Sequence, residues 1–230
     1  MPKQDFLMQM IEQLRGLLPY VLDLVRAGNY DEAHAVIDQA VHELVGIGTD
    51  GLVNLPDEVI VDRLQAENTA AWEDKCLFLA GVLYEEAELL VKEGEDGAAY
   101  GRYLKALHLL LILAQSGDGA NGWSELVPDI DAIVAALADY HLPGETCVKL
   151  LRYYEAMGEY TAVENTLFDW LENAPIELRA DEANPGKVGL ELFQRLRQKP
   201  EADLEAGGLS LEEVEAAVAE LDEMGYDSQL

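Results

Sequence analysis

Basic residues are scarce in this sequence. The 230 residues include 15 Lys and Arg against 45 Asp and Glu, a formal charge of -30. A surface of that sign repels phosphate, so no nucleic-acid partner is expected. Docking on anionic lipid is disfavoured for the same reason. Cysteine is scarce too. Cys76 and Cys147 stand 71 residues apart and no CxxC occurs, which offers neither a zinc site nor a dithiol. Two buried free thiols in a reducing cytosol are expected. Long apolar runs are missing. The longest, Leu109 to Ala114, is far shorter than a bilayer span. Met1 to Leu18 reads as an amphipathic helix broken by Asp5, Glu12 and Arg15, not as a secretion signal. These absences predict a cytoplasmic protein with no membrane partner.

Catalytic motifs are absent as well. There is no P-loop, GxGxxG, GxSxG or HExxH, and neither cysteine has a basic neighbourhood that would activate it. The expectation is a protein that is not an enzyme, with no catalytic residue and no cofactor.

Half of the residues are apolar, enough for a globular core without staples. They recur in steps of three and four, the period of a helix face. Phe6, Met10, Leu14, Leu17, Val21 and Leu24 form one such series. Ala33, Ile37, Ala40 and Leu44 form the next. Pro56, Pro128 and Pro143 mark helix starts, and Thr161-x-x-Glu164 and Ser210-x-x-Glu213 read as capping boxes. Gly46 to Gly51 reads as a loop. No segment alternates with period two, so the fold class is all-α.

Three helix joints resemble one another: Gly28-Asn29-Tyr30-x-x-Ala33, Gly94-Glu95-Asp96-x-x-Ala99 and Gly158-Glu159-Tyr160-x-x-Val163. Each is followed at matched spacing by two packing residues: Ile37 and Ala40, Tyr103 and Ala106, Leu167 and Trp170. Glycine lets the chain turn at a helix end, and a small residue lets paired helices approach. The pattern resembles the tetratricopeptide repeat, although the joints lie 66 and 64 residues apart. The resemblance implies antiparallel helical hairpins in a short, irregular solenoid, with a C-terminal helical extension. Residues 1–175 are expected to form that domain, and 176–230 an acidic helical extension packed on or tethered to it.

Over nearly its whole length the chain also resembles a family of uncharacterised bacterial all-helical, tetratricopeptide-repeat-like proteins. The residues that carry this likeness are Asp5 to Glu12, Gly28 to Ala33, Leu83 to Ala87, Tyr103 to Leu107, Leu150 to Glu155 and Glu201 to Glu213. It implies a helical scaffold and no assigned activity.

Several polar clusters can be weighed as sites. Asp31, His34, Asp38 and His42 step along one face of a helix, and His with carboxylate is a metal-ligand vocabulary. A second matching helix is lacking, so a solvated face is expected. His108 and His141 have no evident carboxylate partner in sequence. The run Glu85, Glu86, Glu88, Glu93, Glu95, Asp96 lies mostly within a helix, unlike a calcium loop. Asp118 to Gly122 begins like a calcium loop but has Asp129 where a Glu belongs. From Pro200 to Leu230 there are ten acidic residues and no basic one. That segment is expected to be a solubilising tail, or an arm that meets a basic surface or the chain's own arginines.

The first helix of a tetratricopeptide hairpin lines its concave face. The three joints then place Arg15, Leu18, Leu22, Arg26, Tyr84, Glu88, Arg152 and Glu155 on a candidate groove. The function expected is a non-catalytic scaffold or adaptor binding an unidentified protein or peptide there. Its arginines would favour an acidic peptide or the chain's own tail. Self-association is compatible with Leu18 and Leu22 on that face. The alternative is a carboxylate-rich helical metal-binding protein or metal-dependent enzyme. The acidity is also compatible with adaptation to salt, with only seven lysines present.

Overall fold

A computed structural model describes residues 16–67, 72–116, 127–174 and 184–224. Those residues hold twelve helices and no strand. They are α1 (16–27), α2 (Tyr30–Val45), α3 (Thr49–Val53), α4 (Asp57–Glu67), α5 (Trp72–Glu93) and α6 (Asp96–Ser116). α7 (Ile130–Ala136), α8 (Gly144–Met157), α9 (Tyr160–Asn173), α10 (Pro185–Leu196), α11 (Glu201–Ala206) and α12 (Leu211–Glu223) follow. The protein is all-helical where it is described.

The three glycine joints are built alike. Gly28, Gly94 and Gly158 all take the left-handed conformation, with φ of 76°, 81° and 78°. Their amides donate to Val25, Val91 and Glu155, and the next amides reach back to Leu24, Leu90 and Tyr154. This is the Schellman closure of a helix end. The amides of Ala33, Ala99 and Val163 then start the next helix by donating to Asn29, Glu95 and Glu159. Ala33, Ala99 and Val163 are wholly buried, and both packing positions that follow are buried at every joint: Ile37, Tyr103 and Leu167, then Ala40, Ala106 and Trp170. The matched spacing in the sequence is therefore a matched set of core positions.

The chain divides into two compact units, Met1–Tyr140 and His141–Leu230. In the first, α5 and α6 pair along their length, α2 and α4 pack on α5, and α3, α4 and α7 pack on α6. Its wholly buried side chains include Phe78, Leu79, Leu83 and Leu107 of α5 and α6, and Ile37, Leu52, Ile60 and Leu64 of α2, α3 and α4. Each such side chain contributes about 1.5–3 kcal/mol by burial. α5 is buried over most of its circumference, as befits the central helix of a bundle.

In the second unit α8 pairs with α9, and α10 packs on α9 and α12. Gly189 of α10 allows close approach, because a Cβ there would stand 2.6 Å from Leu167 Cδ2. Leu204, Leu209, Val214, Ala217 and Leu221 are buried, so the described part of the acidic tail is helical and packed rather than merely solvated. Within that part, Glu215 of α12 forms an exposed pair with Arg197 at 3.5 Å.

Some expectations need correction. α10 and α12 pack with α9 in the compact unit His141–Leu230. Part of the expected 46–51 loop is α3, started by Thr49 docking on distant side chains. α7 ends at Ala136 and closes in turns. Thr161 does not cap α9. It lies inside the helix, its amide donates to Gly207 O at 3.2 Å, and its hydroxyl donates to Gly208 O at 2.9 Å. Ser210 and Glu213 do form the expected capping box. The Asn184 side chain caps α10 by accepting from the Gly186 amide at 2.9 Å, with Pro185 in the first turn.

Candidate functional site

The expected groove residues divide between the two units. Arg15 lies outside the described residues. Leu18 is 1% exposed, a core residue and not a presented one, because α1 turns that edge inward beside Val21. An association surface built on Leu18 loses its anchor. Leu22 is half-buried and Arg26 exposed. In the second unit Arg152 is exposed. Glu155 is held by Arg195 in a two-pronged pair, with Nε at 3.0 Å and Nη2 at 2.7 Å from its two oxygens. That pair holds the Arg195 guanidinium above its ordinary range, burial opposing.

In the first unit Arg26 and Glu88 both act on a residue that spacing alone did not single out for the groove, and that residue acts on Tyr84. Glu85 of α5 lies between Tyr84 and Glu88 in sequence and feels the charges of Glu88, Lys92 and Arg26. Burial first, and Glu88 second, push its carboxyl above the ordinary range; Lys92 and Arg26 oppose this without reversing it. Tyr84 meets Tyr103 of α6 edge to face, with ring centroids 5.6 Å apart. The Tyr103 hydroxyl donates to Glu88 Oε1. Tyr100 stacks on Tyr140 at 5.0 Å, and the Tyr140 hydroxyl donates to the Asp96 carbonyl oxygen. Burial and the neighbouring carboxylates raise the Tyr84 and Tyr103 phenols. Both therefore remain protonated donors. The side of the α5–α6 hairpin thus carries aromatic rings interleaved with half-buried carboxylates.

The histidine and carboxylate ladder of α2 is broken into separate tasks. Asp31 and His42 are exposed. Asp38 Oδ1 accepts from the Thr49 amide at 2.9 Å and lies 3.3 Å from its hydroxyl. Gly48 leaves room for this, since a Cβ there would sit 2.3 Å from Asp38 Oδ1. The Thr49 hydroxyl also lies 3.1 Å from Glu86 Oε1. Glu86 is buried and accepts from Arg102 Nε at 3.3 Å, while Arg102 Nη2 binds Asp50. Burial pulls the Arg102 guanidinium down, and Asp50 and Glu86 more than reverse it. His34 Nε2 is 2.9 Å from Glu93 and Nδ1 is 3.6 Å from Glu86. These contacts join α2, α3, α5 and α6.

A second buried group lies at the start of α4. Asp57 pairs with Lys105 at 2.6 Å and with His108 Nδ1 at 2.8 Å, and Lys105 also donates to Leu55 O at 2.7 Å. His108 thus has the carboxylate partner that its sequence neighbourhood lacks. Both cysteines are free and buried. Burial raises the Cys76 and Cys147 thiols, the latter to about 12, so neither is a thiolate at neutral pH. Among the described residues no group of three His, Cys, Asp or Glu is arranged to hold a metal ion. The calcium-like stretch 118–122 lies outside the described residues, while Asp129 caps α7 by accepting from the Ala132 amide at 2.7 Å.

Residues 1–225 match the family model described as DUF6483, a family of unknown function. The chain belongs to the DUF6483 family. No curated protein and no solved structure matches it. For this DUF6483 member, no described helix is long and apolar enough to cross a membrane.

Hairpin register in the sequence puts Tyr84 and Glu88 on one side of α5. It does not reveal that Tyr103 and Glu85 are their neighbours, nor that Tyr140 stacks on Tyr100. Tyr103 was read only as a packing residue of the repeat, a reading its burial supports. Its hydroxyl contact with Glu88 depends on how α5 and α6 align, which helix periodicity does not reveal.

Proposed function

We propose that this protein is a non-catalytic scaffold or adaptor of a bacterial cytosol, and that it binds a protein or peptide on its helical hairpins. Its hairpins are read as tetratricopeptide-like: α1–α2, α5–α6 and α8–α9 share one joint geometry and one set of buried positions. The observation that carries the reading is the α5–α6 face. Large aromatic side chains stand there beside incompletely neutralised carboxylates, on a rigid pair of long helices. Rigid aromatic anchors with charged neighbours are the usual composition of a protein interface. The ionisable groups of the interior contribute to structure in this reading, because the buried thiols are protonated and the buried acids face cations.

The test uses the full chain. It would be presented with a peptide library of varied charge, and bound members examined by hydrogen exchange. Saturable binding with protection along α5 and α6 is the expected result. Binding of no peptide at all, or chemical turnover of a bound one, would overturn the reading.

A further inference from the structure

The arginines expected to select an acidic partner do not dominate the assembled surface. Arg26 is exposed, lies 3.3 Å from Asp23, and also acts on Glu85. The face it borders is negative and aromatic. Tyr84 is half-buried and under the influence of Glu85, Glu88 and, from the start of α7, Asp129. Glu85 and Glu88 are one helical turn apart, so their carboxylates share a side of α5. Tyr103 supplies one hydrogen-bond donor to Glu88, and a carboxylate has further lone pairs to offer. Tyr103 is buried, so the ring that can meet a cation is the half-buried Tyr84, and the carboxylates add charge.

We infer that the Tyr84–Glu85–Glu88–Tyr103 face of α5 and α6 is a docking surface for a basic partner segment, receiving one lysine or arginine side chain. The argument is charge complementarity. A cation against Tyr84 would make a cation–π contact and a charge-assisted hydrogen bond to Glu85 or Glu88 at once. Lys92 and Arg26 act on Glu85 from within the chain and compete with the incoming cation. The inference rests on the scaffold reading and names its partner chemistry.

The experiment is a fluorescence titration of the full chain with a labelled Lys/Arg-rich dodecapeptide. The same peptide with Gln or Glu in place of its basic residues is titrated alongside. A chain of charge -30 attracts any cation, so the control is Glu201→Gln with Glu205→Gln, which removes the same charge from exposed sites on α11. Binding is expected to weaken about tenfold in Tyr84→Leu and in Glu85→Gln with Glu88→Gln. It is expected to strengthen in Arg26→Ala and to change little in the α11 control. Equal loss in the control and the α5 variants, or no loss in either, would overturn the inference. Saturable binding of the neutral or acidic peptide, insensitive to these substitutions, would also overturn it while leaving the scaffold reading intact. If no peptide binds saturably, both fall.

Discussion

Two glycines that nearly touch serve different physical needs. Gly158 has φ of 78° and open space at its Cβ position apart from a Tyr160 hydroxyl at 4.0 Å. Its constraint is conformational. Gly207 has φ of -87°, which any residue adopts. A Cβ there would stand 2.2 Å from Gly158 O and 2.3 Å from Tyr160 Cδ2, so its constraint is space. Gly158→Ala should cost about 1–2 kcal/mol, the strain of a left-handed L-residue. Gly158→Asn should recover part of that, since Asn tolerates this region. Gly207→Ala should cost about 1–3 kcal/mol by overpacking, and Gly207→Asn should be worse. Urea unfolding of the four variants checks this. Rescue of Gly207 by Asn would contradict the spatial account.

At the scale of elements, α3 exists because other helices hold it. Its five residues, Thr49–Val53, are too few for a helix stable by itself. Thr49 binds Asp38 of α2 and Glu86 of α5, and Asp50 binds Arg102 of α6. Glu86→Ala would leave Arg102 and Thr49 short of an acceptor in a buried place. A loss of about 3–5 kcal/mol is expected, the usual cost of breaking a buried pair. Glu86→Met with Arg102→Met removes both charges and should cost less than the two single changes summed. Chemical denaturation of the cycle measures this. Additive costs would mean that Glu86 and Arg102 act independently. The same logic makes the Asp57, Lys105 and His108 group a fastening between α4 and α6, which sequence separation concealed.

At the scale of the whole molecule, the charge of -30 opposes compaction. Few cations offset it, and several of them are committed to buried pairs, as Arg102 and Lys105 are. Raising salt from about 0.01 M to about 1 M shortens the screening length from about 30 Å to about 3 Å. Thermal stability should therefore rise with sodium chloride. A flat or falling Tm would show that surface repulsion contributes little, and that the local pairs outweigh it.

Helix content was legible in the sequence, because apolar side chains at steps of three and four can satisfy a core only as helices. The glycine joints and the Ser210–Glu213 capping box were legible too, since both depend on residues a few positions apart. The sequence by itself thus determined the longer helices, their glycine joints and the charge of the surface, while α3 depended on packing. Tertiary structure alone decided that Leu18 faces inward, that Thr161 serves Gly208 instead of its own helix, and that His108 finds Asp57. It also decided that Tyr103 meets Glu88. The physical reason is range: a helix period sets which side a residue lies on, while only packing sets what stands opposite it.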